Sequence, residues 1–425
     1  MPGSRSGDSA EMKAVFRPLL LLAITVFIDL LGFGLVLPNL PQYVELAVGR
    51  NHAQAASIAG MLGASYSLTQ FIFAPLWGRY SDKVGRRPVI LISLIGVAGA
   101  YTLFGLAGRH LWMLFAARLL AGVLSSASIG VAFAYVADVT SPENRARGIG
   151  LLGACFGLGF MLGPAFGGIL GHIQISLPAF VAAGIALVNF GFAIRFLPES
   201  LTTEARRKAT EAGKFTPWLL LRVIQGPAGF LFALSFLVIL AFSALEQSFG
   251  YYLLAVKEFH VSNRDQPLVN GTILGAVGLV SIIVQGGLIG RLVKRFGEGG
   301  LVVVGIALMV VGFAFFALPK SLVLLTVGPM MVLSIGRAIF QPSLSALVSR
   351  KANMGQGLTL STSSSFDALA RTFGPLLGGF LFRALGPAAP YTSAAVIMAV
   401  ALLLGLLKRR DMAINVPLDN PMQGV

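Results

Sequence analysis

Twelve stretches of roughly twenty apolar residues run through this chain, each long enough to cross a bilayer core of about 30 Å as a helix rising 1.5 Å per residue. They cover residues 16–38, 55–77, 88–107, 111–136, 148–172, 178–197, 228–254, 267–290, 300–318, 322–347, 356–382 and 389–407. Only 12% of the residues are charged, where a soluble domain has about a quarter. In lipid each run must satisfy its own backbone, so each reads as a helix. The reading is an all-α polytopic membrane protein with the lipid bilayer as partner. The polar start, MPGSRSGDSAEMK, precedes an apolar run too long for a signal peptide, which predicts a retained first span.

The net charge of +15 is distributed by side. Alternate connections carry Arg79, Lys83, Arg86 and Arg87, then Arg145 and Arg147, Arg206 to Lys208, Arg291, Lys294 and Arg295, and Lys408 to Arg410. The opposite side holds six, Arg50, Arg109, Lys257, Arg264, Lys320 and Arg383. By the positive-inside rule both termini are expected in the cytoplasm. No one loop gathers the charge into a nucleic-acid patch. One cysteine, Cys155, and four scattered histidines predict neither a disulfide nor a metal site, and no cofactor is expected. No nucleophile–base constellation suggests an enzyme.

The longest polar connection, 198–227, separates two sets of six spans, 16–197 and 228–407, with tails at 1–15 and 408–425. Its TPWLLLRVIQ segment suggests an interfacial stretch with Trp218 at headgroup level. The halves repeat: GRYSDKVG at 78–85 returns as GRLVKRFG at 290–297, and GPAFGG at 163–168 as GPLLGG at 374–379. Repeated six-helix halves are a common way to build a midplane site that opens alternately to either side.

GRYSDKVGRRP at 78–88 fits the pattern G-x-x-[SA]-D-[KR]-x-G-R-[RK] and resembles the signature between helices 2 and 3 of the major facilitator superfamily. IDLLGFGLVLPNLP at 28–41, RLLAG at 118–122, YVADVTSPENRARG at 135–148 and GACFGLGFMLGPAFGG at 153–168 resemble further motifs of its drug:proton antiporters, above all tetracycline-exporter-like transporters. The resemblance implies twelve helices in two pseudo-symmetric bundles. It also implies a conformational latch at Gly78, Asp82, Lys83, Gly85, Arg86, Arg87 and Asp138, with Asp82 against a helix N-terminus and Arg86 and Arg87 reaching Asp138. Gly159, Gly163, Gly167 and Gly171 recur every four residues, as do Ala370, Gly374 and Gly378, so each set lines one helix face, where small residues let helices approach closely. With Pro164 and Pro375 able to kink the helices, the resemblance makes these stripes pivots and implies antiport.

Ionisable residues inside spans are costly and face protein or water. They are Asp29, Arg118, Glu246, Arg337, and Asp367 with Arg371; spans 3, 6, 9 and 12 have none centrally, which suggests a lipid-facing scaffold. Asp29, Glu246 and Arg118 are the candidates for proton coupling. Asp29, Arg118, Glu246, Gln247, Tyr251, Tyr252, Arg337 and Asp367 are the candidates for substrate contact. Asp367 and Arg371, four apart, suggest an intrahelical ion pair. The expected function is proton-coupled export of amphipathic small molecules by a monomer, the alternatives being an uptake symporter or a non-transporting receptor. Tetracycline exporters carry further acids in helices 3 and 9; here GVAGAYTLFG and GIALMVVGFAFF hold none, which argues against a chelated tetracycline as substrate.

Overall fold

The structure, a computed structural model, describes residues 5–412 apart from 50, 141, 203, 205–224, 227 and 352–355. Most of the central connection, with Trp218, lies outside the described residues. All twelve apolar runs are largely helical, two of them, 267–290 and 322–347, crossing π-helical turns at Val284–Leu288 and Thr326–Met330. The first half comprises α1 (Arg5–Val36), α2 (His52–Val84), α3 (Arg86–Leu106), α4 (Leu111–Val139), α5 (Pro142–Ile173) and α6 (Leu177–Phe196). The second comprises α7 (Gly229–Ala255), α8 (Gln266–Ile283), α9 (Ile289–Ala314), α10 (Met331–Arg350), α11 (Gln356–Leu385) and α12 (Ala389–Leu407). The face that carries the termini and most of the basic residues is called the basic face below, and the other the far face.

Several boundaries follow from single residues. Beyond Val36 the first span turns through Leu37–Asn39, a 3-10 turn with Pro38 at its start, into a short helix, Leu40–Val48. The charged stretch after span 2 is not a loop: α2 stays helical to Val84, and only Gly85, at φ 110°, ψ 159°, separates it from α3. The repeat reproduces this geometry. The eighth span passes through a π-helical turn, Val284–Leu288, into Ile289–Ala314, which breaks at Gly297 with φ 67°, ψ 162°. Gly85 and Gly297 close the two copies of the motif, and both adopt a conformation that glycine reaches without a Cβ penalty.

Within each half the small-residue stripe packs backbone on backbone. A Cβ at Gly159 would lie 2.6 Å from the Phe27 carbonyl oxygen, and one at Gly163 2.7 Å from Gly34 Cα, so α5 sits directly on α1. In the second half, Gly374 and Gly378 meet Leu240 and Ala244 of α7 in the same way. Asn39 stitches the first pair at its far end, donating from Nδ2 to the Leu35 and Gly167 carbonyls at 3.0 Å each.

Two seams join the halves. In one, Gly60 of α2 faces Pro375 of α11, and Gly379 of α11 faces Ala56 and Ser57. In the other, Gly168 of α5 faces Pro267 and Gly271 of α8, and Gly278 faces Met161. Exchanging α2 for α8 and α5 for α11 maps one seam onto the other. Both lie toward the far face. Toward the basic face Gly78, Gly157, Gly286, Gly287 and Gly290 meet nothing where a Cβ would stand, and the helices are exposed there. The molecule is therefore closed at the far face and open at the basic one. Exposed apolar side chains cover the outer helices, among them Phe180, Val188 and Phe192 on α6 and Val396, Val400 and Leu403 on α12.

Candidate functional site

Asp29 lies seven residues before the end of α1 and is 5% exposed, turned into the first half and not toward lipid. Ser128 of α4 donates to its Oδ2, while Oδ1 is buried with no hydrogen-bond partner. Ser128 belongs to a short polar run, Ser125–Ser126–Ala127–Ser128, in an otherwise apolar helix. That run is the signal that would have added it to the candidates. Tyr66 reaches the same run, its hydroxyl 2.8 Å from Ser125 Oγ.

Arg118, also on α4, is 4% exposed. No ion pair to Asp29 or any other acid forms among the described residues. Instead its guanidinium lies against three rings, Phe104 at 5.1 Å and Phe33 and Tyr66 each at 5.9 Å, with Nε unpartnered. α1, α2 and α3 thus each give one wall of an aromatic cage around a cation. Cation–π contact stabilises a desolvated guanidinium without neutralising it. These rings lie on three helices distant in sequence, and nothing in the chain's local pattern marked them.

The second half places a counterpart on the equivalent helices. Arg337 of α10 donates from Nη1 to Glu246 Oε1 of α7 at 3.0 Å and lies 4.6 Å from the centre of the Phe242 ring. Here the charge is paired. Gln247, next to Glu246, points its amide oxygen at Gly63 of α2 and so sits in the seam between halves. Two candidates fall elsewhere. Tyr251 and Tyr252 are fully buried in the far-face core, Tyr252 against Tyr391 at 4.8 Å and Phe259 at 5.8 Å, because the α7 end that carries them is covered by α11, α12 and Phe316, just beyond α9. In this conformation neither borders the opening. Asp367 and Arg371 do not form the expected ion pair: Asp367 Oδ1 accepts from Ser235 Oγ of α7 at 2.6 Å, turning the carboxylate across to the neighbouring helix.

At the basic face the motif residues form one network, all within the first half. Arg86 holds Asp82 (2.6 Å), Asp138 (3.0 Å) and Ser81 Oγ (2.6 Å). Arg87 reaches the Ile194 carbonyl at 2.6 Å and not Asp138, while Lys83 is exposed. The anion at the α3 N-terminus is Glu199, not Asp82: it accepts from the Arg86 and Arg87 amides at 2.8 and 3.3 Å. It lies more than a hundred residues away, so spacing gave no hint of it. The second half carries the same bridge with its charges exchanged. Glu298, which follows Gly297, pairs with Arg350 at the end of α10 at 3.0 Å, as Arg86, which follows Gly85, pairs with Asp138 at the end of α4. Glu199→Gln is expected to loosen the α3 terminus by about 1–3 kcal/mol, the worth of hydrogen bonds to a charged acceptor. Faster hydrogen exchange at residues 86–90 would report it; unchanged exchange would contradict it.

Two bundles related by a repeat, closed on one face, with cationic and acidic side chains turned inward from α1, α4, α7 and α10, define a membrane transporter that works between two open states. The model of the Major Facilitator Superfamily matches residues 22–362, and the chain belongs to that family. It is 28% identical over 409 residues to Multidrug resistance protein 2 of Bacillus subtilis (strain 168), covering 95% of this chain and 98% of that one. It is 32% identical over 375 residues to the class E tetracycline resistance protein of Escherichia coli, covering 87% and 88%. Among solved structures, the crystal structure of the human organic anion transporter MFSD10 (TETRAN) superposes with a TM-score of 0.68 at 28% identity, covering 92% of this chain and 99% of that one.

Proposed function

We propose that the protein is a monomeric, proton-coupled exporter of amphipathic small molecules, with its basic face in the cytoplasm. The observation that carries this reading is Asp29, a carboxyl buried in the first span with one oxygen unpartnered. A carboxylate there is costly unless it takes up a proton or meets a cation, and Arg118 gives it no ion pair. Exchange of a proton for substrate at this carboxyl couples the two fluxes. The caged, unpaired guanidinium of Arg118 favours substrates that join an anionic group to an apolar body, which its aromatic walls accommodate. A relative described as an organic anion transporter supports that preference, and relatives described as resistance proteins support export.

The test is flux in reconstituted vesicles under an imposed pH gradient, over a panel of anionic, neutral and cationic amphiphiles. Movement of anionic members against the proton flow is the expected result. Movement with the protons would make the protein a symporter, and no flux of any member would favour a non-transporting role. Arg118→Leu is expected to reduce anionic flux roughly tenfold or more, the worth of one charge-assisted contact, and to spare neutral compounds.

A further inference from the structure

The far face holds a polar cluster that the proposed transport site does not use. Glu45, on the short helix Leu40–Val48, is 5% exposed although it stands near the bilayer surface. One of its oxygens lies 2.6 Å from Nδ1 of His52, the first residue of α2. The other accepts at 2.5 Å from Asn263 Nδ2, which belongs to the α7–α8 connection of the opposite half. Gln42 donates to the Asn263 carbonyl, so this one residue is gripped through both its side chain and its backbone. His172, at the end of α5, grips the next two residues, with Nδ1 3.2 Å from the Arg264 carbonyl and 3.7 Å from Asp265.

We propose that Glu45, His52 and Asn263 form a second proton-binding site, a latch that holds the far face shut when His52 is protonated. His52 and Glu45 belong to one half and Asn263 to the other, so closing the face buries the Glu45 carboxylate under a half-buried His52 ring, and opening it returns both to water. With a neutral imidazole, closure buries a carboxylate whose charge is uncompensated, which is costly. A proton added at Nε2 leaves Nδ1–H donated to Glu45 and makes the buried pair neutral overall. The hydrogen bond that His52 donates to Glu45, and the Glu45 charge, raise the His52 pKa above its ordinary value, against the opposing effect of burial. Water weakens that pairing when the face opens, so the closed state holds the proton more tightly. Protonation therefore favours closure, and the advantage fades as pH rises through the raised pKa. Among the described residues, His172, Arg264 and Asp265 flank Asn263, and the phenol of Tyr251 lies near Glu45 from α7. Arg50 lies outside the described residues.

The latch rests on the proposed function for its direction alone. If the far face is extracellular, acid outside closes the mouth behind an entering proton, which commits an exporter to its inward-open state. Spin labels at Arg109→Cys and Lys320→Cys, one on each half at the far face, report opening by electron–electron distance measurement in lipid nanodiscs. Cys155→Ser removes the native thiol, and Asp29→Asn replaces the cavity carboxyl with an amide that does not titrate. In that parent the ratio of open to closed molecules is expected to fall roughly tenfold from pH 8 to pH 5.5, the effect of one charge-assisted hydrogen bond. His52→Gln, which keeps a donor but takes no proton, should flatten the response. Asn263→Ala should raise the open fraction at both pH values. The proposal is overturned if the parent shows no response, if His52→Gln keeps it, or if His172→Gln alone removes it. No flux is measured, so a failure of proton-linked transport would leave this result intact.

Discussion

Asp29→Asn is expected to abolish transport driven by a pH gradient while leaving substrate exchange between vesicle compartments that share one pH. The amide keeps the shape of the carboxyl and still accepts from Ser128, so the packing of α1 on α4 should persist. What disappears is the one group on α1 that can carry a charge at this depth and lose it to a proton. The price of a membrane-buried charge, about 2.5–3.5 kcal/mol, corresponds to roughly a hundredfold or more in the coupled rate. Glu246→Gln should cost less, because Glu246 is already paired with Arg337 at 3.0 Å. Gradient-driven flux in Asp29→Asn within a few-fold of the parent would show that the coupling proton binds elsewhere.

Gly168→Val is expected to force the far face open. A Cβ at Gly168 already stands 2.9 Å from Gly271 Cα across the α5–α8 seam and hard against the Pro267 carbonyl, so a branched side chain has no room. Overpacking of this kind costs about 1–3 kcal/mol, a shift of roughly five- to 150-fold in the balance between states. The cost falls on the closed far face alone, so the variant should fold and populate the opposite conformation. Thiol labelling from the far side at Gln247→Cys, in a Cys155→Ser background, reports this: labelling should accelerate in Gly168→Val. If the labelling rate is unchanged, the seam is not what holds that face shut.

Much of this architecture was legible because lipid imposes simple rules. Twelve apolar runs, the sidedness of the basic residues and the two motif repeats sufficed for the helices and for the division into halves. Local chemistry was legible too where one residue decides it, as at Gly85 and Gly297. What escaped was every partner supplied from a distant helix. The Arg118 cage draws Phe33, Tyr66 and Phe104 from three helices, and phenylalanine is too common in a membrane chain to stand out. Glu199 displaced Asp82 at the α3 terminus because the fold returns the end of α6 to that point. Asp367 preferred Ser235 to its own neighbour one turn away, an outcome that periodicity along a single helix does not reveal. The far-face cluster escaped because its members, Gln42, Glu45, His52 and Asn263, sit at the ends of spans, where polar residues are ordinary.

The single-glycine joints carry a mechanical consequence. One residue separates α2 from α3, and one forms the matching break inside Ile289–Ala314; Arg86 pairs with Asp82 across the first joint, and the bridges Arg86–Asp138 and Glu298–Arg350 tie the residue after each glycine to α4 and α10, so the helices cannot slide past each other without tearing them. Each half is in effect a sewn block with no slack of its own. Lengthening either joint by a few residues would turn a lever into a loose hinge, and the force of a bound proton would dissipate inside one half before it could reach the other.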